Sequence, residues 1–179
     1  MANDPALIVS PGSARGDLRS RLLVLALAPL QPVLKHIVQK LAMQSPEILE
    51  RLGQHCASVF VIDPVDLPFA LVLHPEKSDP ILRACLRGNL PDHDARIAGG
   101  LLHLVRLIDS QEDGDAMFFS RELTISGDTE AVVTLRNALD DVEGSVASRV
   151  ADLFGAPGQA ALSLLRRAGG WPSRQGEHA

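Results

Sequence analysis

The stretch DGDAMFFSRELTISGDTEAVVTLRNALDD, residues 113–141, changes its hydrophobic period in the middle. Up to Ile125 the apolar side chains alternate, with Met117, Phe119, Leu123 and Ile125 on one face of a strand and Arg121 among them. Beyond Gly127 the spacing becomes helical: Asp128 or Thr129 is placed to cap, Glu130 sits in the first turn, and Val132, Leu135, Leu139 and Val142 form the inward side. The segment is therefore a strand, a glycine turn and a helix, and the strand carries a charge on its apolar face. An unpaired guanidinium there would cost several kcal/mol, so Arg121 needs a partner or a route to water. Asp113, Asp115, Asp128 and Glu130 are the acidic candidates nearby.

Working upstream, LLHLVRLID (101–109) repeats Leu101, Leu102, Val105 and Ile108 at helical spacing, after Gly99 and Gly100 end the strand DARIAG (94–99). A helix thus joins the fourth and fifth strands. The β-rich runs Val59–Ile62 and Phe69–Leu73 flank the turn-rich DPVDLP and predict a hairpin, and Ile81–Arg87 supplies a third strand. Before them, SPEILERLGQH starts a helix with Ser45 at the N-cap, Pro46 in the first position and Glu47 in the first turn. Its apolar side is Ile48, Leu49, Leu52 and Cys56. Downstream, VASRVADLFG stops at Gly155, and PGQAALSLLRRAGG adds a last helix. The pattern is an α+β domain over residues 44–168, with a disordered tail over 169–179.

Residues 18–43 form an amphipathic extension behind a disordered N-terminus of residues 1–17. Leu30, Val33, Leu34, Ile37, Val38 and Leu41 fall on one helical face, and Lys35 and Lys40 lie on the other with Gln31, His36 and Gln39. Pro29 and Pro32 predict two short helices meeting near that point. The run LLVLALAPL (22–30) falls well short of the roughly 20 residues that span a bilayer. With Arg15, Arg19 and Arg21 before it, the stripe suits an anionic membrane surface. Packing on the domain, or pairing with a second copy in a homodimer, would need the same pattern.

Composition narrows the chemistry. The chain has 179 residues, 46% of them apolar, a formal net charge of -5, and 3% aromatics with no tyrosine. That argues for one globular unit and against nucleic acid, which needs phosphate-neutralising or stacking side chains. Cys56 and Cys85 lack CxxC spacing and read as buried thiols of a reducing, cytoplasmic compartment. No Gly-rich phosphate loop, HExxH or GxSxG occurs, so no cofactor, metal or catalytic set is expected. Asp92–Asp94 flank His93 in a solvated turn, His103 reads as a packing residue, and the acidic run 109–115 does not fit the spacing of a calcium loop.

VIDPVDLPFALVLHP (61–75), DARIAGGLLHLVRLID (94–109) and the opening stretch together resemble the sterol-carrier-protein type 2 domain, in its UbiT-type branch. The resemblance covers roughly residues 45–143, and its last block is the specific one. It implies a five-stranded mixed sheet covered by helices on one face, with a hydrophobic tunnel between the layers. It further implies a non-catalytic accessory factor for oxygen-independent ubiquinone biosynthesis, peripheral to the inner membrane. Such a factor binds isoprenoid quinone intermediates and phospholipid beside UbiU and UbiV-type hydroxylases.

On that reading the tunnel candidates are Phe60, Ile62, Phe69, Leu71, Leu73, Ile97, Leu101, Val105, Met117, Phe119 and Leu139. For each, ordinary core packing stands beside ligand contact. Arg121 is then either half of a structural ion pair or a head-group contact at the tunnel mouth. Two other readings remain: a membrane-associated scaffold with a solid core, and a cryptic hydrolase or acyltransferase in which His103 leads.

Overall fold

The computed structural model describes residues 25–109, 122–140 and 145–169. The tunnel candidates Met117 and Phe119, Arg121, Val142, the acidic run beyond Asp109, residues 1–24 and the expected tail beyond Gly169 lie outside these residues.

A helical turn at Leu25–Leu27 gives way at Ala28 and Pro29, and helix α1 then runs Leu30–Gln44. The break is where proline removes a backbone donor. Helix α2 (Pro46–Leu52) follows with Pro46 at its start and Glu47 in its first turn. Ser45 occupies the N-cap position, but its hydroxyl does not cap the helix. It is fully buried and accepts a 2.6 Å hydrogen bond from Arg149, so a residue expected to act locally instead ties the start of α2 to a distant helix.

The strands are β1 (Phe60–Pro64), β2 (Phe69–His74), β3 (Ile81–Leu86), β4 (Ala95–Gly99) and β5 (Leu123–Gly127). They form one mixed sheet in the order β3-β2-β1-β4-β5, in which β1 pairs antiparallel with β2 and parallel with β4. Register places Phe60, Ile62, Leu71, Leu73, Ile97 and Ile125 on one face. The expected turn DPVDLP begins later than its composition suggests, because Asp63 and Pro64 still belong to β1.

Helices α3 (Leu101–Asp109), α4 (Thr129–Asp140) and α5 (Val146–Asp152) lie on that inner side, and α6 (Gly155–Gly169) packs against α5 and α3. Asp66 holds the start of α3 by accepting from the Leu101 N–H at 3.0 and 3.1 Å. The cap of α4 is Asp128, which accepts from the Ala131 N–H at 3.0 Å. Gly127, just before it, has φ +81, and a Cβ there would lie 2.1 Å from the Asp94 carbonyl oxygen. Both the handedness and the close approach require glycine. Gly155 ends the α5 turn and also opens α6, ahead of the expected proline start.

The solid core lies where α2 and α4 meet the sheet, around Leu52, Phe60, Val132 and Ala138. α1 crosses β3, and its Gln31 side chain bonds both backbone groups of Ala84, donating to the carbonyl at 2.8 Å and accepting from the N–H at 3.2 Å. β3 is an edge strand, and this amide occupies backbone groups that would otherwise be open to another chain.

Candidate functional site

Between the inner face of the sheet and α1, α3, α4 and α5 lies a cavity of about 320 Å³. Its walls are apolar at every lining position except Arg136. The strands present Ile62, Leu71, Leu73 and Ile97, each projecting from the face that register selects. α3 adds Leu101 and Val105, and α4 adds Leu139. These tunnel candidates therefore share one space.

Two others do not. Phe60 is fully buried in the core shared by α2 and α4, and Phe69 packs with Leu27 and Leu34 near the β3 edge. Both are bulky aromatics, and in this fold they fill interior space beside the cavity.

Along α3, Leu104 and Leu107 are buried, whereas Leu101, Leu102 and Val105 are partly exposed and Ile108 is open. Leu101, Leu104, Val105, Leu107 and Ile108 all line the cavity, so this helix turns its apolar side to the void.

α1 turns its stripe inward. Leu34, Ile37, Val38 and Leu41 line the cavity, Leu30 packs beside them toward β3, and Lys35 and Lys40 face solvent. Val33 is the exposed apolar residue of the set. In this structure the extension is the cavity's outer wall. Among the described residues no helix is long and apolar enough to cross a membrane.

Arg136 went unnoticed in the sequence although the signal was there. Val132, Leu135, Arg136 and Leu139 stand at i, i+3, i+4 and i+7, so Arg136 belongs to the inward stripe of α4. Its guanidinium lies 2.9 Å from the Asp140 carboxylate one turn on.

Elsewhere the polar candidates are dispersed. His103 is partly exposed, with Nε2 3.6 Å from Glu122, and Asp94 accepts a 2.7 Å hydrogen bond from the Val59 N–H. A wider cleft of about 620 Å³ opens between α1, α2 and the β2–β3 loop, but Lys40, Glu50, Lys77 and Asp79 give it charged walls. Such walls offer little to an apolar ligand.

A mixed sheet with a helical layer over a cavity defines an α+β domain with an internal apolar pocket. The chain belongs to the SCP-2 sterol transfer family, whose model matches residues 34–140. The match begins within α1 and ends with α4, so α5, which adds Val146 and Val150 to the wall, lies beyond it.

A search of curated proteins finds no match. Among solved structures, the chain is similar to the UbiJ-SCP2 ubiquinone synthesis protein, at 19% identity and a TM-score of 0.48, covering 65% of this chain and 89% of that one. Sterol carrier protein 2 from Yarrowia lipolytica, in its apo form, gives 15%, 0.43, 64% and 89%. The sterol carrier protein domain 2 of Helicoverpa armigera gives 13%, 0.43, 65% and 90%.

Proposed function

We propose that this protein is a non-catalytic lipid-binding accessory factor of oxygen-independent ubiquinone biosynthesis. It holds polyprenyl quinone intermediates in the cavity and presents them to UbiU and UbiV-type hydroxylases. The observation that carries the reading is the cavity, apolar at all but one position, inside a domain of the SCP-2 sterol transfer family. The pathway assignment rests on the UbiT-type resemblance of the three sequence blocks between residues 61 and 141.

Transfer cost supplies the physical need. Apolar surface costs roughly 25 cal/mol per Å² in water, so a polyprenyl chain does not cross the cytosol unsheltered. The cavity, at about 320 Å³, stands at the low end of the roughly 300–1,000 Å³ usual for ligand pockets. A long prenyl tail therefore requires the wall to move, and α1 is the wall held by a side-chain latch at Gln31. Moving α1 outward enlarges the cavity and also releases Leu34, Ile37, Val38 and Leu41 to an anionic phospholipid surface. One stripe thus serves the closed carrier and the membrane-bound state in turn.

Loss of the protein should lower ubiquinone and accumulate under-hydroxylated prenyl precursors in cells grown without oxygen, and leave oxygen-grown cells unchanged. Equal ubiquinone loss under both conditions, or none in either, would refute the pathway assignment.

A further inference from the structure

We infer that Arg136 and Asp140 form the polar pole of the cavity and select amphiphiles whose single polar head is neutral and oxygen-bearing, such as a quinone carbonyl or a phenol. The inference deepens the carrier reading and rests on it. In a wall that is otherwise apolar, a ligand's polar group must end in water or at this pair, because burying it elsewhere leaves it unsatisfied. Arg136 lines the cavity with its side chain 14% exposed, and Asp140, 29% exposed and 2.9 Å from it, stands on its solvent side. Hydrogen bonds made there are stronger than in bulk water.

Arg136 presents a planar fork of N–H donors, and an N–H can be shared between two acceptors, so a neutral carbonyl can be accommodated beside Asp140. A carboxylate or phosphate head meets a different field. The Asp140 carboxylate lies 2.9 Å from the Arg136 guanidinium, and a second anion brought to Arg136 is repelled by it. The pair therefore ranks heads by charge, while the apolar walls accept the tail.

The test is equilibrium dialysis of the full chain against three ligands with the same short prenyl tail: a benzoquinone, a carboxylate and a plain hydrocarbon without a head. The wild type should bind the quinone best and the carboxylate worst. Arg136→Met, which keeps the apolar stem, should lower quinone affinity about tenfold and leave the hydrocarbon unchanged. Asp140→Asn should raise carboxylate affinity about tenfold, and it decides the matter alone if the arginine variant does not fold. Equal binding of quinone and hydrocarbon by the wild type, or carboxylate affinity indifferent to Asp140→Asn, overturns the inference while the carrier reading stands. Failure of all three to bind overturns both.

Discussion

The carboxylate of Asp63, fully buried at the end of β1, accepts a 2.8 Å hydrogen bond from Arg87 just beyond β3. Arg96 of β4 donates to the other carboxylate oxygen, and Arg87 also donates to the Pro64 carbonyl at 2.6 Å. One acid on the sheet face away from the cavity thus joins β1, β4 and the end of β3. Burial alone would raise its pKa, but the hydrogen bonds and charges of Arg96 and Arg87 outweigh that and hold it below the ordinary 3.8. A depressed carboxylate contributes stability that is complete above its unfolded value and is lost as pH falls through the lower folded one.

Acid unfolding followed by circular dichroism should therefore show the wild type losing stability below about pH 4, and Asp63→Asn losing much of that pH dependence. At neutral pH, Asp63→Ala should cost about 2 to 4 kcal/mol. The figure is tempered because the two arginine side chains remain 36% and 38% exposed. A variant as stable as wild type at neutral pH would contradict the structural role.

Much of this fold was legible because its periods are clean. The strand–glycine–helix switch around Gly127 announced β5 and α4, and Asp128 caps as its residue type suggests. Asp63 was not legible: DPVDLP has turn composition, and only the third dimension brings two arginines to an acid inside a strand. The cavity was half legible. Ile62, Leu71 and Ile97 could be assigned to one face, but a lined void and a filled core share the same pattern, so Phe60 and Leu71 looked equivalent. For α1 the stripe was plain and its partner was not, since a sheet and a bilayer ask for the same residues.

The Gln31 latch gives a second expectation. Gln31→Ala removes two hydrogen bonds to Ala84, each worth about 1 kcal/mol. Amide exchange should speed up in α1 while β1 stays protected, and flotation with anionic vesicles should increase. Unchanged exchange in α1 would show that apolar contacts alone hold the helix.

The thiols should separate kinetically. Cys56 is buried, burial pushes its thiol up, and its Sγ lies 3.0 Å from the Leu49 carbonyl oxygen. Cys85, partly exposed on the opposite sheet face, should react first with a thiol reagent at neutral pH, and Cys56 only on unfolding. Simultaneous labelling of both would contradict the packing of α2.

Filling the void should separate folding from binding. Val105→Trp places a ring into the cavity from α3, where the side chain is only partly buried in protein. Ligand affinity should fall at least tenfold, while stability changes by no more than about 1 to 3 kcal/mol. Wild-type affinity in a folded variant would place the ligand elsewhere.

The most direct test of the carrier claim is to purify the protein without added lipid from cells grown without oxygen, extract it with organic solvent and identify the extract by mass spectrometry. A prenylated quinone or one of its precursors, recovered near stoichiometry from wild type and depleted from Val105→Trp, is the expected result. An extract free of isoprenoid lipid, from a protein that also fails to bind anionic vesicles, would contradict it.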